Sequence, residues 1–150
     1  MRRRRDQRGS ALVEMCWLGL LLLVPMLWIL VSVFEVQRGA FAVSAAARAA
    51  GRAYALAPTD ALGRLRAQAA ARQALDDQGL DGTSFTLGVA CTPYPRACHN
   101  GTSVITVRIG SRVDLPLMPS ALGGADVPSF ALRASHTVPI GQFQEIDGTP

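Results

Sequence analysis

The sequence predicts an α+β protein. A long N-terminal helix crosses a membrane and continues into a domain with a second helix and a small antiparallel sheet. Three observations carry this. The twenty residues from Met15 to Phe34 hold no charge. Helical periodicity persists beyond that run, with no proline between Met26 and Ala57. After residue 84 the pattern changes to two-residue alternation in three separate stretches.

Twenty helical residues cover roughly 30 Å, the thickness of a bilayer core. Trp17 and Trp28 stand near the two ends, with Trp28 somewhat deep for an interfacial belt. Pro25 would cost about 3 kcal/mol inside a soluble helix. Membrane helices tolerate it, so it predicts a mild kink. A cleaved secretory signal has an apolar core of about 7–15 residues before a small-x-small site. Small residues do follow here, at Ala40, Ala42 and Ser44, but the apolar run is too long.

Charge sets the orientation. Five of the fifteen basic residues are Arg2, Arg3, Arg4, Arg5 and Arg8, immediately before the run and opposed only by Asp6. The other flank has Glu35, then Arg38. The basic side stays in the cytoplasm and the C-terminal domain is exported. The net charge of +4 is therefore a topology signal and not a nucleic-acid footprint. After Glu35 ten Arg face eight acidic residues, and the chain has no Lys. The expected layout is a basic cytoplasmic leader at 1–9 and a long helix at 10–57, spanning at about 15–34. An exported α+β domain at 58–140 and a flexible tail at 141–150 follow.

Val36, Ala40, Val43, Ala47, Ala50 and Tyr54 form one helical stripe. They predict a continuous helix from about Leu12 to Ala55, roughly 65 Å long. The stripe packs on the chain's own domain, on neighbouring molecules, or on both. Pro58 ends the helix, and Thr59 or Asp60 caps the next. That helix runs from Ala61 to Gln78, with Leu62, Leu65 and Ala69 as its apolar stripe and Gly79 as its C′ residue.

Phe85, Leu87, Val89 and Cys91 alternate with Thr86, Gly88 and Ala90. Ile105, Val107, Ile109, Val113 and Leu115 form a second set, opposed by Thr106, Arg108, Arg112 and Asp114. Phe130, Leu132, Ala134, His136 and Val138 form a third, opposed by Arg133, Ser135 and Thr137. One apolar and one polar face mark a half-buried antiparallel sheet. Pro116 and Pro119 end the middle strand, 120–128 is a loop, and the tail from Gly141 frays.

Cys91 and Cys98 flank a short loop with two prolines, and an exported domain meets an oxidising compartment, so they are expected to be bridged. A metal site would need more ligands than His99 alone. Cys16 lies in the membrane run and reads as a small hydrophobe. Asn100-Gly101-Thr102 matches a glycosylation sequon, but Asn-Gly is first a turn signal. His136 falls on an apolar strand face, and Asp76 and Asp77 point apart on a helix end. No catalytic constellation, phosphate-cradling loop or cofactor motif stands out, which predicts a non-enzyme.

Glu14 has two readings. It can lie in the first helical turns and reach the interface. Alternatively, a cut after Gly9 would give Ser10 a new amine, which Glu14 could pair with in the same chain or a neighbour.

The stretch from Asp6 to Ala55 resembles the start of TadE-like proteins, the minor pseudopilins of tight-adherence (Flp-type) pilus systems. Arg8-Gly9, Val13-Glu14, the apolar helix and the Ala/Arg-rich Ala45–Arg52 stretch match in order and spacing. Residues 6–57 match well and the rest loosely. Ser10 departs from the aromatic residue or Met that often follows pilin-type cuts. The resemblance implies a pilin-like fold with processing between Gly9 and Ser10 by a prepilin-type peptidase. It gives Glu14 an assembly role, with other pilus or pseudopilin subunits, inner-membrane assembly proteins and the lipid bilayer as partners. The competing reading is a membrane-anchored exported binding or envelope protein unrelated to pili.

Overall fold

The computed structural model describes residues 10–114 and 129–141. Gly9 and the basic leader, Pro116 and Pro119, the 120–128 loop and the tail at 142–150 lie outside the described residues.

Helix α1 runs unbroken through Ser10–Ala55, 46 residues, with Pro25 inside it. At 1.5 Å per residue it is about 69 Å long. Helix α2 occupies Asp60–Asp76. Strands β1 (Phe85–Thr92), β2 (Val104–Asp114) and β3 (Ser129–Pro139) form one antiparallel sheet in the order β1-β2-β3. This is the α+β architecture the sequence predicts.

The short link between the helices has visible causes. Leu56 N–H still donates to Arg52 O at 3.1 Å, but Pro58 has no N–H to continue the ladder. Thr59, in extended backbone, is the N-cap of α2, its hydroxyl accepting from Leu62 N–H at 3.3 Å. At the other end Gly79 takes φ +71°. Its N–H donates to Asp76 O, and Leu80 N–H donates to Leu75 O, the paired bonds of a Schellman turn. Leu75 and Leu80 are both buried, which supplies the apolar contact across that turn.

One face of the sheet lies on α1. The register pairs Leu87 with Ile109, Val89 with Val107 and Cys91 with Ile105. It also pairs Ile105 with Val138, Val107 with His136 and Ile109 with Ala134. Ile105, Val107 and Ile109 are buried at the centre, as period-two alternation requires.

The helix meets this face through small residues. A Cβ on Gly39 would stand 2.6 Å from both Leu132 Cδ1 and Val113 Cγ2. One on Gly51 would stand 3.1 Å from His136 Cδ2 and 3.2 Å from Val138 Cγ2. Between them Ala42, Ala46, Ala47 and Ala50 are fully buried beside Val43. From Gly39 to Gly51 the helix advances about 18 Å. From Leu132 to His136 and Val138 the strand advances about 14–20 Å in the same sense. The two elements therefore run side by side.

Two expected stripes are corrected. On α1, Val43, Ala47, Ala50 and Tyr54 are buried as expected, but Ala40 is exposed, and the buried face also takes in Gly39, Ala42, Ala46 and Gly51. On α2, Leu65 is 66 % exposed, and the buried residues are Gly63, Ala67, Ala71 and Leu75. A Cβ on Gly63 would stand 3.1 Å from the Tyr54 ring. Close helix approach selected the small residues, whereas hydropathy alone favours the leucines.

Gly39→Val inserts a side chain where even a methyl collides. It should cost about 1–3 kcal/mol by overpacking. Gly19→Ala, with nothing within 4 Å of its added Cβ, should leave stability unchanged. Thermal unfolding of the full chain in neutral detergent, followed by circular dichroism, reads both.

Candidate functional site

The first half of α1 is bare. Met15 is 77 % exposed, Leu21 69 % and Phe34 67 %. A continuous apolar surface of this length is far larger than a protein leaves in water. It is long and apolar enough to span a bilayer, and only the half beyond it carries the domain. The chain is a membrane-anchored protein with an α+β domain joined to its membrane helix without a hinge residue.

Ser10 is the first helical residue described and Glu14 stands four residues later, about 6 Å along the axis. Glu14 is exposed and makes no ion pair or hydrogen bond among the described residues. Gly9 is outside the described residues, so the Gly9–Ser10 junction itself has no geometry here. Cys16 is a free, exposed cysteine on the same bare segment.

At the far end of α1 the chain builds a cluster that linear spacing does not reveal. Cys91 and Cys98 are bridged, with Cα atoms 5.3 Å apart. In the chain-entropy account, closing so short a loop contributes about 2–3 kcal/mol. Cys98 N–H donates to Asp60 Oδ2 at 3.3 Å. His99 Nδ1 lies 2.5 Å from Asp60 Oδ1, and His99 Nε2 lies 3.0 Å from Tyr54 O. The His99 and Tyr54 rings stack with centroids 5.3 Å apart. His99 is therefore not the isolated residue its sequence neighbourhood suggests. Its partner Asp60 is 39 positions away, at the start of α2.

This clamp fastens the bridged β1–β2 loop to the junction of the two helices. Both imidazole nitrogens face oxygen atoms of the chain, Asp60 Oδ1 and Tyr54 O. No ring nitrogen is left for a substrate proton or a metal. Among the described residues no group of three or more potential metal ligands comes together. Partial burial pushes the Asp60 carboxyl up, but the His99 hydrogen bond, the Cys98 N–H and the His99 charge outweigh it. Its pKa falls below the ordinary 3.8. Burial, then the Asp60 carboxylate, raises the Tyr54 phenol. The Tyr54 hydroxyl is buried without a hydrogen-bond partner of good geometry.

The other singled-out residues fall as follows. His136 is half-buried on the helix-facing side of β3, against Gly51, and belongs to the core. Asn100-Gly101-Thr102 is a turn, closed by Ser103 N–H donating to Asn100 O at 3.1 Å. Its left-handed residue is Thr102 at φ +69°, not the glycine. Asp77 is exposed and Asp76 half-buried at the end of α2.

No protein-family model matches the chain, and no curated protein or solved structure matches it.

The Asp60 shift has a definite sign. A carboxyl whose pKa is lower folded than unfolded stabilises fully above its unfolded value, and that contribution is lost as pH falls through the folded value. Thermal unfolding from pH 6 to pH 2 should show stability falling below about pH 4 in the native chain. In Asp60→Asn the chain should start less stable and lose less on acidification. An identical acid dependence in the variant would remove the clamp from the account.

Proposed function

We propose that this chain is a non-catalytic, pseudopilin-like membrane protein that takes part in assembly of a tight-adherence-type pilus or a related secretion apparatus. The observation that carries the reading is the division of one helix. Its first half is bare and apolar, with Glu14 exposed on it, and its second half is the spine of the domain. A plain anchor needs none of this continuity, since a flexible linker would serve. The resemblance of residues 6–57 to TadE-like proteins adds the processing site and the family of partners.

The arginine-rich leader supports a cytoplasmic N-terminus and export of the domain. The Cys91–Cys98 bridge fits the same direction, because such bonds persist in oxidising compartments.

In this reading a prepilin-type peptidase cuts between Gly9 and Ser10, removing all five leader arginines. The new amine is costly as a lone cation in an apolar setting. The Glu14 carboxylate, or that of a neighbouring subunit, offsets part of that cost. Desolvation of both charges limits the net gain, so the benefit is register during docking.

N-terminal sequencing of the mature protein should begin at Ser10. Gly9→Ala should slow or block processing. Glu14→Ala should insert, fold and be processed, yet fail to support assembly. An intact leader, or a cut in the 40–47 region, would reject this mechanism in favour of an anchored or secreted binding or envelope protein.

A further inference from the structure

One end of the sheet meets the level at which the uncharged run of α1 stops. Gly39 lies against Leu132 of β3 and Val113 of β2. Phe130 pairs across from Val113 and stands two residues before Leu132, on the same helix-facing side. Two strand residues cover about 7 Å, the rise of roughly four to five helical residues. The strand runs alongside α1, so Phe130 is level with Glu35, the residue that follows the uncharged run. Burial on the domain-facing side of α1 begins lower still. Val36 packs against the core, and Ser32, seven residues before Gly39, is only 9 % exposed, whereas Leu30 and Val33 are 46 % and 47 % exposed. Cladding of the helix thus starts inside the uncharged run and not beyond it.

Phe130 itself is 52 % exposed, although Val113 and Leu132 beside it are buried. α1 leaves this ring bare on an edge strand. Phe34, also exposed, stands at nearly the same height on α1. It is five residues from Gly39 and so about 140° around the helix, away from the sheet. The two rings therefore flank the molecule at one level, the level of the membrane interface. α1 has no break between its spanning half and the domain, so the domain cannot lift away from that level. The charges at this end suit the same setting. Glu35, Arg38, Asp81, Arg112 and Asp114 line one hollow with Ser129. They carry both signs, which matches a zwitterionic headgroup layer and selects no lipid charge. A second copy of the chain is the weaker occupant, because a single exposed ring among mixed charges offers too little area for a stable protein interface.

We propose that the end of the sheet around Phe130 is inserted into the headgroup–acyl boundary of the bilayer, a second lipid contact beside the spanning helix. The domain then stands partly in the membrane surface and not above it. The inference rests on the membrane-anchored architecture and needs neither processing of the leader nor a pilus.

The test uses the full chain in phosphatidylcholine vesicles. Cys16→Ala leaves the bridged pair as the only native cysteines, so a nitroxide attaches to one introduced thiol. The labelled variants are Phe130→Cys, Leu21→Cys on the bare helix and Ser135→Cys, exposed further along β3 on the outer face. Collision with oxygen, which concentrates in lipid, is compared with collision with a water-soluble nickel chelate. The oxygen-to-nickel ratio at 130 should be several-fold above that at 135 and approach that at 21. Phe130→Trp, in a Trp17→Phe and Trp28→Phe background, keeps an aromatic ring in place, and lipids brominated high on the acyl chain should quench its emission. Circular dichroism confirms that each protein folds. A label at 130 that is open to the nickel chelate puts the end of the sheet in water and overturns the proposal. A label shielded from both reagents puts the ring against protein, either residues 115–128 of its own chain or a second copy, and overturns it equally. Anionic lipid should leave the ratio unchanged. A lipid contact that appears only with anionic lipid is charge capture by Arg38 and Arg112, and also overturns apolar insertion. An intact leader with the expected ratios would end the pseudopilin reading and leave this contact standing.

Discussion

The close approach of α1 to the sheet is the constraint on which the rest of the domain depends. Gly39 approaches Val113 of β2 and Leu132 of β3 so closely that a methyl there would force a shift, and Gly51, twelve residues on, sits tightly against His136 and Val138 of β3. The alanines between them are fully buried. A helix lined with leucine would stand further off and open a gap around Val107 and Ile109. The small residues draw helix and strands together, and the same device recurs where Gly63 of α2 meets the Tyr54 ring. Small contact residues give little transfer free energy each. Stability must come from packing density over a long seam, and from the sheet side chains pressed onto it.

That seam occupies only the second half of α1. The helix has no break at the boundary, and Arg38 and Glu35 at its waist pair at 3.1 Å along it. Rigid continuity means that any motion or force on the membrane half reaches the domain directly. It also means that the domain's height above the bilayer and its rotation about the helix are set by helical geometry. The clamp of Asp60, His99 and Tyr54 closes the opposite end, tying the bridged loop to the helix junction. The domain is thus held at both ends of the seam, by the Gly39 contact at the end nearer the bare half of α1 and by the Asp60–His99–Tyr54 cluster at the other.

Much of this was legible in the sequence. The uncharged run, the missing prolines, Gly79 and the alternation after residue 84 each reflect a local rule, and each element appears where those rules place it. The apolar and polar faces of the sheet were read correctly because side-chain period in a strand is fixed by the backbone. What failed was the choice of buried face on α2; on α1 the expected stripe is buried apart from Ala40. Leu65 looks like core by hydropathy, but Gly63, Ala67 and Ala71 were chosen by interhelical distance, which no local pattern records. The pairing of His99 with Asp60 was invisible for the same reason. It exists only once the β1–β2 loop folds onto the helix junction. Thr102 in the left-handed region, beside a glycine that could have taken it, has no account in the sequence.

The functional reading turns on which side of the membrane the clad half of α1 occupies. An exported domain gives meaning to the cystine, to the arginine leader and to assembly beyond the bilayer. A cytoplasmic domain would leave all three without cause. Protease added to spheroplasts expressing the chain with a tag at each end tests this most directly. The account predicts that the domain following α1 is digested or clipped from outside while an N-terminal tag survives. A domain that stays protected until the membrane is dissolved would contradict it.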